Sequence, residues 1–382
     1  ASLAQIQVPA LTEKLGRKKL VLLGVFLQAI TWIPIILLPY LFDISLAGKL
    51  LIVAVTFYAL FNSLTGPPYI SIISQYVPAR KRGAYFSWRS SLTGLVVLVS
   101  TFMAGFILHL FQRRNLAEEN KEGFLGFTII FSIACIARFL TFYFIKKMYE
   151  PPLFPKEDAY FSFYAFVRRV KESNFVKFVL LASGMTFAVG LAGPFFSVYM
   201  LRGLKFSYLT YTLVNVAASV VSLLTLPTWG KHIDRVGNLQ VIRLTTFLMP
   251  SVPILWLFSM SPIYLILANA FAGFVWAGYN LAVSNFILEA VSEEKRVRCL
   301  AYFNIFNGIG LFFGATLGGY LIPFLPRIRG HKILTIFLIS GIMRYLVKAI
   351  LLPKIREVRK VEPYTNWDLL FSLLGIKPIT EK

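Results

Sequence analysis

The chain has 382 residues, of which 57% are hydrophobic and 15% are charged, and its mean hydropathy is +0.69. This composition excludes a water-soluble globular protein, because a soluble domain carries more charge on its surface. The net charge of +22 would indicate nucleic-acid binding only if the basic residues clustered on a soluble domain, and the sequence offers none. We therefore expect an all-α multi-pass membrane protein that does not bind nucleic acid.

Ten apolar segments are long enough to cross about 30 Å of hydrocarbon as a helix, which takes about 20 residues. In chain order they are Leu20–Phe42, Leu50–Gln75, Ala84–Phe111, Phe124–Ile145, Phe175–Met200, Tyr208–Trp229, Leu239–Phe258, Ile263–Leu288, Val297–Leu325 and Ile333–Leu352. Ser2–Leu11 is predicted to be the end of one further helix.

Alternate loops between these segments hold most of the 39 Lys and Arg residues. These loops are Leu11–Leu20, Arg80–Arg89, Lys146–Lys177, Lys231–Arg243, Lys295–Arg298 and the region from Lys354 onward. Loops rich in Lys and Arg stay on the cytoplasmic side of a membrane. The pattern therefore predicts a plasma or inner membrane protein with a cytoplasmic C-terminus.

The sequence contains an internal repeat. "EKLGRKK" at Glu13–Lys19 aligns with "DRVGNLQ" at Asp234–Gln240, and "ARFL" at Ala137–Leu140 aligns with "MRYL" at Met343–Leu346. Matching loops lie on the same side, so each half needs an even number of helices. The second half has six, whereas the first shows four and a partial one. Since the chain also lacks an initiator Met, we expect a twelve-helix protein whose first helix and part of the second are missing.

The repeat divides the chain into four predicted regions. They are an incomplete N-terminal bundle (1–147, helices two to six), a cytoplasmic linker (148–174), a six-helix C-terminal bundle (175–353) and a cytoplasmic tail (354–382). Within the linker, Phe163, Phe166, Val167 and Val170 share one face of an amphipathic helix. This helix either lies in the membrane interface or packs on the bundle.

The repeated loop resembles a motif of the major facilitator superfamily: glycine, three residues, Asp-Arg, any residue, Gly-Arg and further basic residues. The copies read "PALTEKLGRKK" and "GKHIDRVGNLQ". In the first, Gly16, Arg17 and Lys18 match, whereas Pro9, Glu13 and Lys14 replace the leading glycine, the Asp and the first Arg. In the second, Gly230, Asp234, Arg235 and Gly237 match and Asn238 replaces the second Arg.

The resemblance implies two six-helix bundles related by a pseudo-two-fold axis, with a gating role for the loop motifs. The implied gating residues are Glu13, Gly16, Arg17, Lys18, Gly230, Asp234, Arg235 and Gly237, with Arg82 or Arg296 as candidate partners of the carboxylates. Glycine permits a tight turn, and a carboxylate can hold basic groups across a gap between helices. Alternatively, the basic residues only anchor the topology.

The same resemblance implies a substrate cavity lined mainly by the first, fourth, seventh and tenth of the family's helices. Three of these carry polar or small residues at helical spacing. The candidates are Tyr58, Asn62, Thr65 and Tyr69; Thr186, Gly190, Gly193 and Ser197; and Asn269, Gly273, Trp276 and Asn280. These residues either line the cavity or bond helix to helix. Their aromatic members favour an amphipathic or ring-bearing solute.

Arg138 and Arg344 are the deepest cations in the spans. They either reach toward the membrane surface as anchors or contact an anion or substrate. All 17 acidic residues lie in loops or at helix ends. If transport is coupled to protons, the titrating acid lies in the missing first helix or is Glu13, Asp234 or Glu289. Otherwise the protein is a uniporter.

The predicted function is transport of a small organic solute by alternating access, by a monomer whose partners are the bilayer, the solute and, if coupled, a proton. The alternative is a transporter-like receptor or a non-transporting relative. An embedded enzyme is less favoured, because the three His residues are far apart. Cys135 and Cys299 lack metal-ligand spacing, so we expect no metal and no cofactor.

Overall fold

The computed structural model describes residues 2–78, 81–112, 124–152, 161–169 and 172–359. Within these ranges the regular structure is helical, apart from one isolated bridge between Ile328 and His331. The predicted all-α class is therefore confirmed. The tail from residue 360 and the loop containing Arg113, Arg114 and Lys121 lie outside the described residues.

The described part of the chain forms fourteen α-helices. They are α1 Val8–Leu15, α2 Arg17–Leu41, α3 Ile44–Tyr76, α4 Arg82–Gln112, α5 Leu125–Lys147, α6 Phe163–Arg168, α7 Asn174–Ala192, α8 Phe195–Val198, α9 Tyr208–Val236, α10 Asn238–Leu248, α11 Ser251–Leu255, α12 Pro262–Ala290, α13 Arg296–Leu321 and α14 Lys332–Leu351. A 3₁₀ segment at Ser2–Gln7 precedes α1, so the predicted helix end at Ser2–Leu11 is helical.

Nine helical stretches in the described part of the chain are long and apolar enough to span a membrane. The predicted span Leu239–Phe258 instead forms two shorter helices, α10 and α11, with a turn at Met249 and Pro250. Proline lacks an N–H and its ring crowds the preceding helical turn, so Pro250 and Pro253 interrupt a continuous helix here. A smaller break follows α7, at Gly193 and Pro194.

The helices form two compact units. The first contains Ala1–Tyr76, Leu95–Ala159 and Glu293–Tyr302. In it, α2 packs against α3 and α5, and Val21, Val25 and Ile145 form a small buried cluster.

The second unit contains Val77–Gly94, Tyr160–Ser292 and Phe303–Lys382. Here α12 packs against α9 and α10, and α14 packs against α7. Glycines let α13 approach α7 closely, because a β-carbon at Gly314 would lie 2.2 Å from the carbonyl oxygen of Phe187. Each unit takes short segments from the other half of the sequence, and the four predicted regions stay a prediction.

Many large apolar side chains point outward from these helices. Leu224 is 71% exposed, Ile263 73% and Phe312 65%. Exposing so many apolar side chains to water would be unfavourable, whereas exposing them to the hydrocarbon of a lipid bilayer is favourable. The distribution is that of a multi-pass membrane protein.

The linker forms the short helix α6, whose Ser162 hydroxyl caps the N-terminus by accepting from Ala165 N–H at 3.1 Å. Phe166 is 3% exposed and its ring lies 6.1 Å from that of Phe175 and 6.2 Å from that of Phe306. These contacts support the alternative in which the linker packs on the bundle. Residues 153–160, Val170 and Lys171 lie outside the described part of the chain.

Candidate functional site

The glycines of the two loop motifs adopt the same backbone conformation. Gly16 separates α1 from α2 with φ 84° and ψ 153°, and Gly237 separates α9 from α10 with φ 87° and ψ 163°. This region is essentially restricted to glycine. Each glycine N–H also closes the preceding helix, onto Thr12 O at 2.8 Å and Ile233 O at 3.0 Å. The two copies of the repeat are therefore similar in backbone conformation as well as in sequence.

Arg17 holds the first turn in place. Its side chain is 4% exposed and pairs with the Glu150 carboxylate at 3.3 Å. It also donates to Ser71 Oγ at 3.2 Å, Gln75 Oε1 at 2.9 Å and the Pro151 carbonyl at 2.7 Å. The guanidinium thus links the start of α2 to the end of α3 and to the segment that follows α5.

The first motif's carboxylate, Glu13, is an exposed ion-pair partner. Arg298 at the start of α13 donates to its Oε1, with side-chain exposures of 15% for Arg298 and 39% for Glu13. Nearby, Arg296 donates to Ser74 Oγ at 3.0 Å and to Glu293 at 3.2 Å. All these residues belong to the first unit.

The second motif's carboxylate, Asp234, accepts bonds from the N-terminus of α4. Its Oδ1 accepts from Gly83 N–H at 3.0 Å and its Oδ2 from Ala84 N–H at 2.9 Å. Unbonded N–H groups and the helix dipole favour a carboxylate at this end of a helix. Arg82 itself donates to the carbonyl oxygens of Val77 and Leu288, at 3.3 Å and 3.4 Å.

Gly230, also in the second motif, allows close contact between α4 and α9. A β-carbon on Gly230 would lie 2.9 Å from the Gly83 carbonyl oxygen, and one on Gly83 would lie 2.5 Å from Asp234 Oδ1. Ser87 adds a hydrogen bond to the Leu226 carbonyl at 2.6 Å. Lys18 and Arg235 lie in the first turn of α2 and the last turn of α9, respectively.

Two residues that the sequence reasoning missed complete the second turn. Glu357 Oε2 accepts from Leu239 N–H at 2.8 Å, at the start of α10. Arg359 donates to the carbonyl oxygens of Ile233 and Asp234 at the end of α9. An acid at a helix N-terminus and a base at a C-terminus both suit the helix dipole. No motif marks them, although the repeat offered a clue, since Glu150 also follows the last helix of its half.

The polar residues predicted on α3 have separate surroundings within the first unit. The Tyr58 hydroxyl accepts two bonds from Arg138, at 3.2 Å and 2.8 Å. Thr65 packs against Gly24, Tyr69 packs against the Val21 cluster, and the Asn62 side chain is exposed. Whether any of them touches a solute stays a prediction.

The structure brings five of the eight cavity candidates of the second unit together around one cavity. A cavity of about 440 Å³ is lined by Gly193, Ser197, Asn269, Gly273 and Trp276, together with the predicted deep cation Arg344. The other three predicted residues lie elsewhere. Thr186 donates to Asn307 Oδ1 at 2.7 Å, Gly190 packs so closely on α13 that a β-carbon would lie 3.0 Å from the Leu311 carbonyl oxygen, and Asn280 is exposed.

The family of the chain follows from its sequence. The family model described as Major Facilitator Superfamily matches residues 1–189 and 178–377, nearly the whole length. The chain belongs to the Major Facilitator Superfamily. The predicted resemblance is thereby confirmed. Its superfamily is a class of transporters rather than enzymes, which supports a secondary transporter as the general function. No curated protein sequence matches this superfamily member significantly.

Solved structures of several transporters share the fold. The fucose:proton symporter FucP of E. coli is 14% identical with a TM-score of 0.69, covering 90% of this chain and 85% of that chain. The proton:xylose symporter XylE, bound to 6-bromo-6-deoxy-D-glucose, is 14% identical with a TM-score of 0.69, covering 94% and 84%. A bacterial homologue of the iron transporter ferroportin is 12% identical with a TM-score of 0.67, covering 92% and 87%.

Proposed function

We propose that this superfamily member moves a small organic solute across a membrane by alternating access. Membership of a transporter superfamily carries the proposal. The cavity lined by Ser197, Asn269 and Trp276 supports it, because polar side chains deep in a span are kept where they bind substrate or one another. Helix breaks beside the cavity, at Gly193 and at Pro250, provide points where helices can bend during a transport cycle.

The two glycine turns are proposed as cytoplasmic gate elements. Asp234 supports this role, because two backbone N–H groups of another helix hold it, and such bonds can stabilise one state and break in the other. Replacing Asp234 by Asn removes the charge, so D234N is expected to change the transport rate severalfold. D43N is a matched control, since Asp43 also accepts a helix N-terminal N–H, that of Leu46 at 3.1 Å, in another loop.

A flux measurement tests the proposal. The full chain is placed in proteoliposomes, and uptake and efflux of a metabolite panel are followed with and without a proton gradient, against protein-free liposomes. Accumulation that collapses with the gradient would support proton coupling, and equilibration without gradient dependence would support a uniporter. If folded, monodisperse protein moves no compound, the transport proposal fails and a receptor-like role takes its place.

We further propose that the protein resides in the plasma or inner membrane as a monomer with its C-terminus in the cytoplasm. The excess of Lys and Arg in alternate loops supports this orientation. A C-terminal fluorescent protein that folds only in the cytoplasm should fluoresce, whereas a C-terminal alkaline phosphatase should be inactive. The opposite pair of results would reverse the proposed topology. The mass of the detergent-solubilised protein by light scattering tests the monomer.

A further inference from the structure

The cavity in the second unit is lined by a buried cation that has no carboxylate partner among the described residues. Arg344 on α14 lines it and is 1% exposed. Its Nη1 donates to the Met249 carbonyl at 3.1 Å, and its Nε has no hydrogen-bond partner in the described part of the chain. Among the described residues, no Asp or Glu forms an ion pair with it. A buried charge is costly unless paired, so its surroundings require an explanation.

The Met249 contact follows from the break between α10 and α11. In a continuous helix, the N–H of residue 253 would donate to the carbonyl of residue 249. Residue 253 is a proline, which has no N–H to donate. The Met249 carbonyl accepts instead from the Val252 N–H at 3.3 Å and from Arg344. The bond from Arg344 uses one guanidinium nitrogen and does not neutralise the positive charge.

A second unpartnered donor lines the same cavity. Trp256 is 1% exposed, and its Nε1 has no hydrogen-bond partner among the described residues. Arginine and tryptophan side chains donate hydrogen bonds and accept none. The described lining also contains hydroxyl and amide groups, such as those of Ser197 and Asn269, but no Asp, Glu or His. The residues that line the cavity therefore include one cation and two donors that have no partner among the described residues, a set that is complementary to an anion that accepts hydrogen bonds.

The remaining wall is apolar and aromatic. The Phe196 and Trp256 rings meet edge to face with centroids 4.9 Å apart, and Val189, Val252 and Trp276 extend this surface. A cavity of about 440 Å³ lies within the range of about 300–1,000 Å³ that is usual for small organic ligands. An inorganic anion would leave most of this apolar wall uncovered.

We propose that this cavity binds an organic monoanion, whose carboxylate or equivalent oxyanion pairs with Arg344 and whose apolar part contacts the Phe196–Trp256 wall. The proposal rests on the proposed function, because it names the class of solute that is transported. A bound anion would neutralise the Arg344 charge and accept from donors that are otherwise unpaired. Neutral molecules of the same shape would lack both contributions.

Binding to the purified full chain in detergent tests the proposal without requiring transport. The probes are benzoate, hexanoate and benzenesulfonate, each compared with its neutral amide and with chloride and phosphate. The readouts are melting temperature and titration calorimetry. We expect at least one anion to stabilise the protein and its amide to have little effect. R344Q should lower the affinity for that anion by about tenfold or more, since hydrogen bonds to charged groups are strong.

A matched variant controls for the loss of a positive charge. Lys348 lies one turn along α14, where its Nζ is 4.7 Å from the centroid of the Phe247 ring and does not line the cavity. K348Q should therefore bind the anion as the wild type does. If R344Q does not fold, W256F keeps an aromatic ring against Phe196 and removes the second donor, and it should bind the anion severalfold more weakly.

Several outcomes would overturn the proposal. They are equal binding of anions and amides, no binding of any probe, unchanged binding in both R344Q and W256F, or binding of chloride or phosphate alone. Flux in proteoliposomes separates this failure from that of the proposed function. Transport of a neutral solute without anion binding refutes only the anion site, whereas anion binding without flux of any compound refutes only transport.

Discussion

The two copies of the repeat have the same turns but different polar partners. Gly16 and Gly237 differ by only a few degrees in φ, at 84° and 87°. Glu13 nevertheless forms an exposed ion pair with a side chain, whereas Asp234 accepts from two backbone N–H groups. A glycine turn is determined by its own backbone. The partners of a carboxylate instead depend on which helix packs beside it.

The deep arginines differ even more. Arg138 and Arg344 occupy the same place in the repeat. Arg138 donates two bonds to the Tyr58 hydroxyl, and its guanidinium lies 5.7 Å from the centroid of the Tyr58 ring. Arg344 donates one bond, from its Nη1 to the Met249 carbonyl, and its Nε bonds to none of the described residues. One copy bonds its arginine to a side-chain hydroxyl of the protein, and in the other copy we propose that the arginine binds a ligand.

The largest expected difference between the copies is at the carboxylates. D234A leaves Gly83 and Ala84 N–H groups without their acceptor and should cost about 3 kcal/mol of the free energy of unfolding. E13A removes an exposed pair and should cost less than about 1 kcal/mol. Unfolding by SDS, followed by circular dichroism, measures both values. Equal losses would contradict the distinction drawn between backbone and side-chain partners.

The two glycine turns should lose similar stability when their glycine is replaced by alanine. Alanine at Gly16 or Gly237 would have to adopt a backbone conformation that is nearly restricted to glycine, so G16A and G237A should each lose about 2 kcal/mol. G105A is the control, because Gly105 in α4 has a negative φ and no atom within 4 Å of a β-carbon position. The same SDS unfolding applies. A loss at only one turn would show that the two turns are not equivalent.

Much of the fold could be predicted from the sequence, because apolar length and glycine chemistry are local properties. Nine of the ten predicted spans appear as span-length helical stretches, some of them interrupted. The remaining prediction, one continuous helix over Leu239–Phe258, was wrong, because hydropathy does not report the missing N–H groups of Pro250 and Pro253. Proline positions would have corrected that prediction.

The site was less predictable, because polar contacts depend on packing between distant segments. Helical spacing grouped Thr186, Gly190, Gly193 and Ser197 on one face, yet only the last two line the cavity. Thr186 and Gly190 face α13, which spacing along α7 alone could not indicate. Arg344 was predicted as either an anchor or a ligand contact, and nothing in the sequence of α14 indicates that Trp256 lines the same cavity.

The deep arginines should differ in stability tests as well. Y58F removes the oxygen that accepts from Arg138 and should cost about 1 kcal/mol or slightly more. R344M replaces an unpaired buried cation by an apolar side chain, so the protein without ligand should lose no stability and should gain up to about 1 kcal/mol. SDS unfolding of both variants, in buffer free of organic anions, gives the comparison.

Each outcome bears on the role of Arg344. A stability gain in R344M together with lost benzoate binding would mean that the arginine is kept for a ligand at the expense of stability. A loss of several kcal/mol in R344M would instead show that the bond to the Met249 carbonyl holds α10 and α11 against α14. K348M provides the baseline for replacing a cation on the same helix.

The smallest expected effect concerns the segment after α14, where Glu357 contacts the start of α10. In E357Q the amide oxygen can still accept the Leu239 N–H, so only the attraction of the charge to the helix dipole is lost, about 0.5 kcal/mol. In the other copy, E150Q removes the carboxylate from the buried Arg17 and should cost more, about 1–2 kcal/mol. V358A, at an exposed neighbouring position, is the control. If E357Q lost as much free energy of unfolding as E150Q, the Glu357 charge would stabilise the second turn as much as the pair between Glu150 and Arg17 stabilises the first.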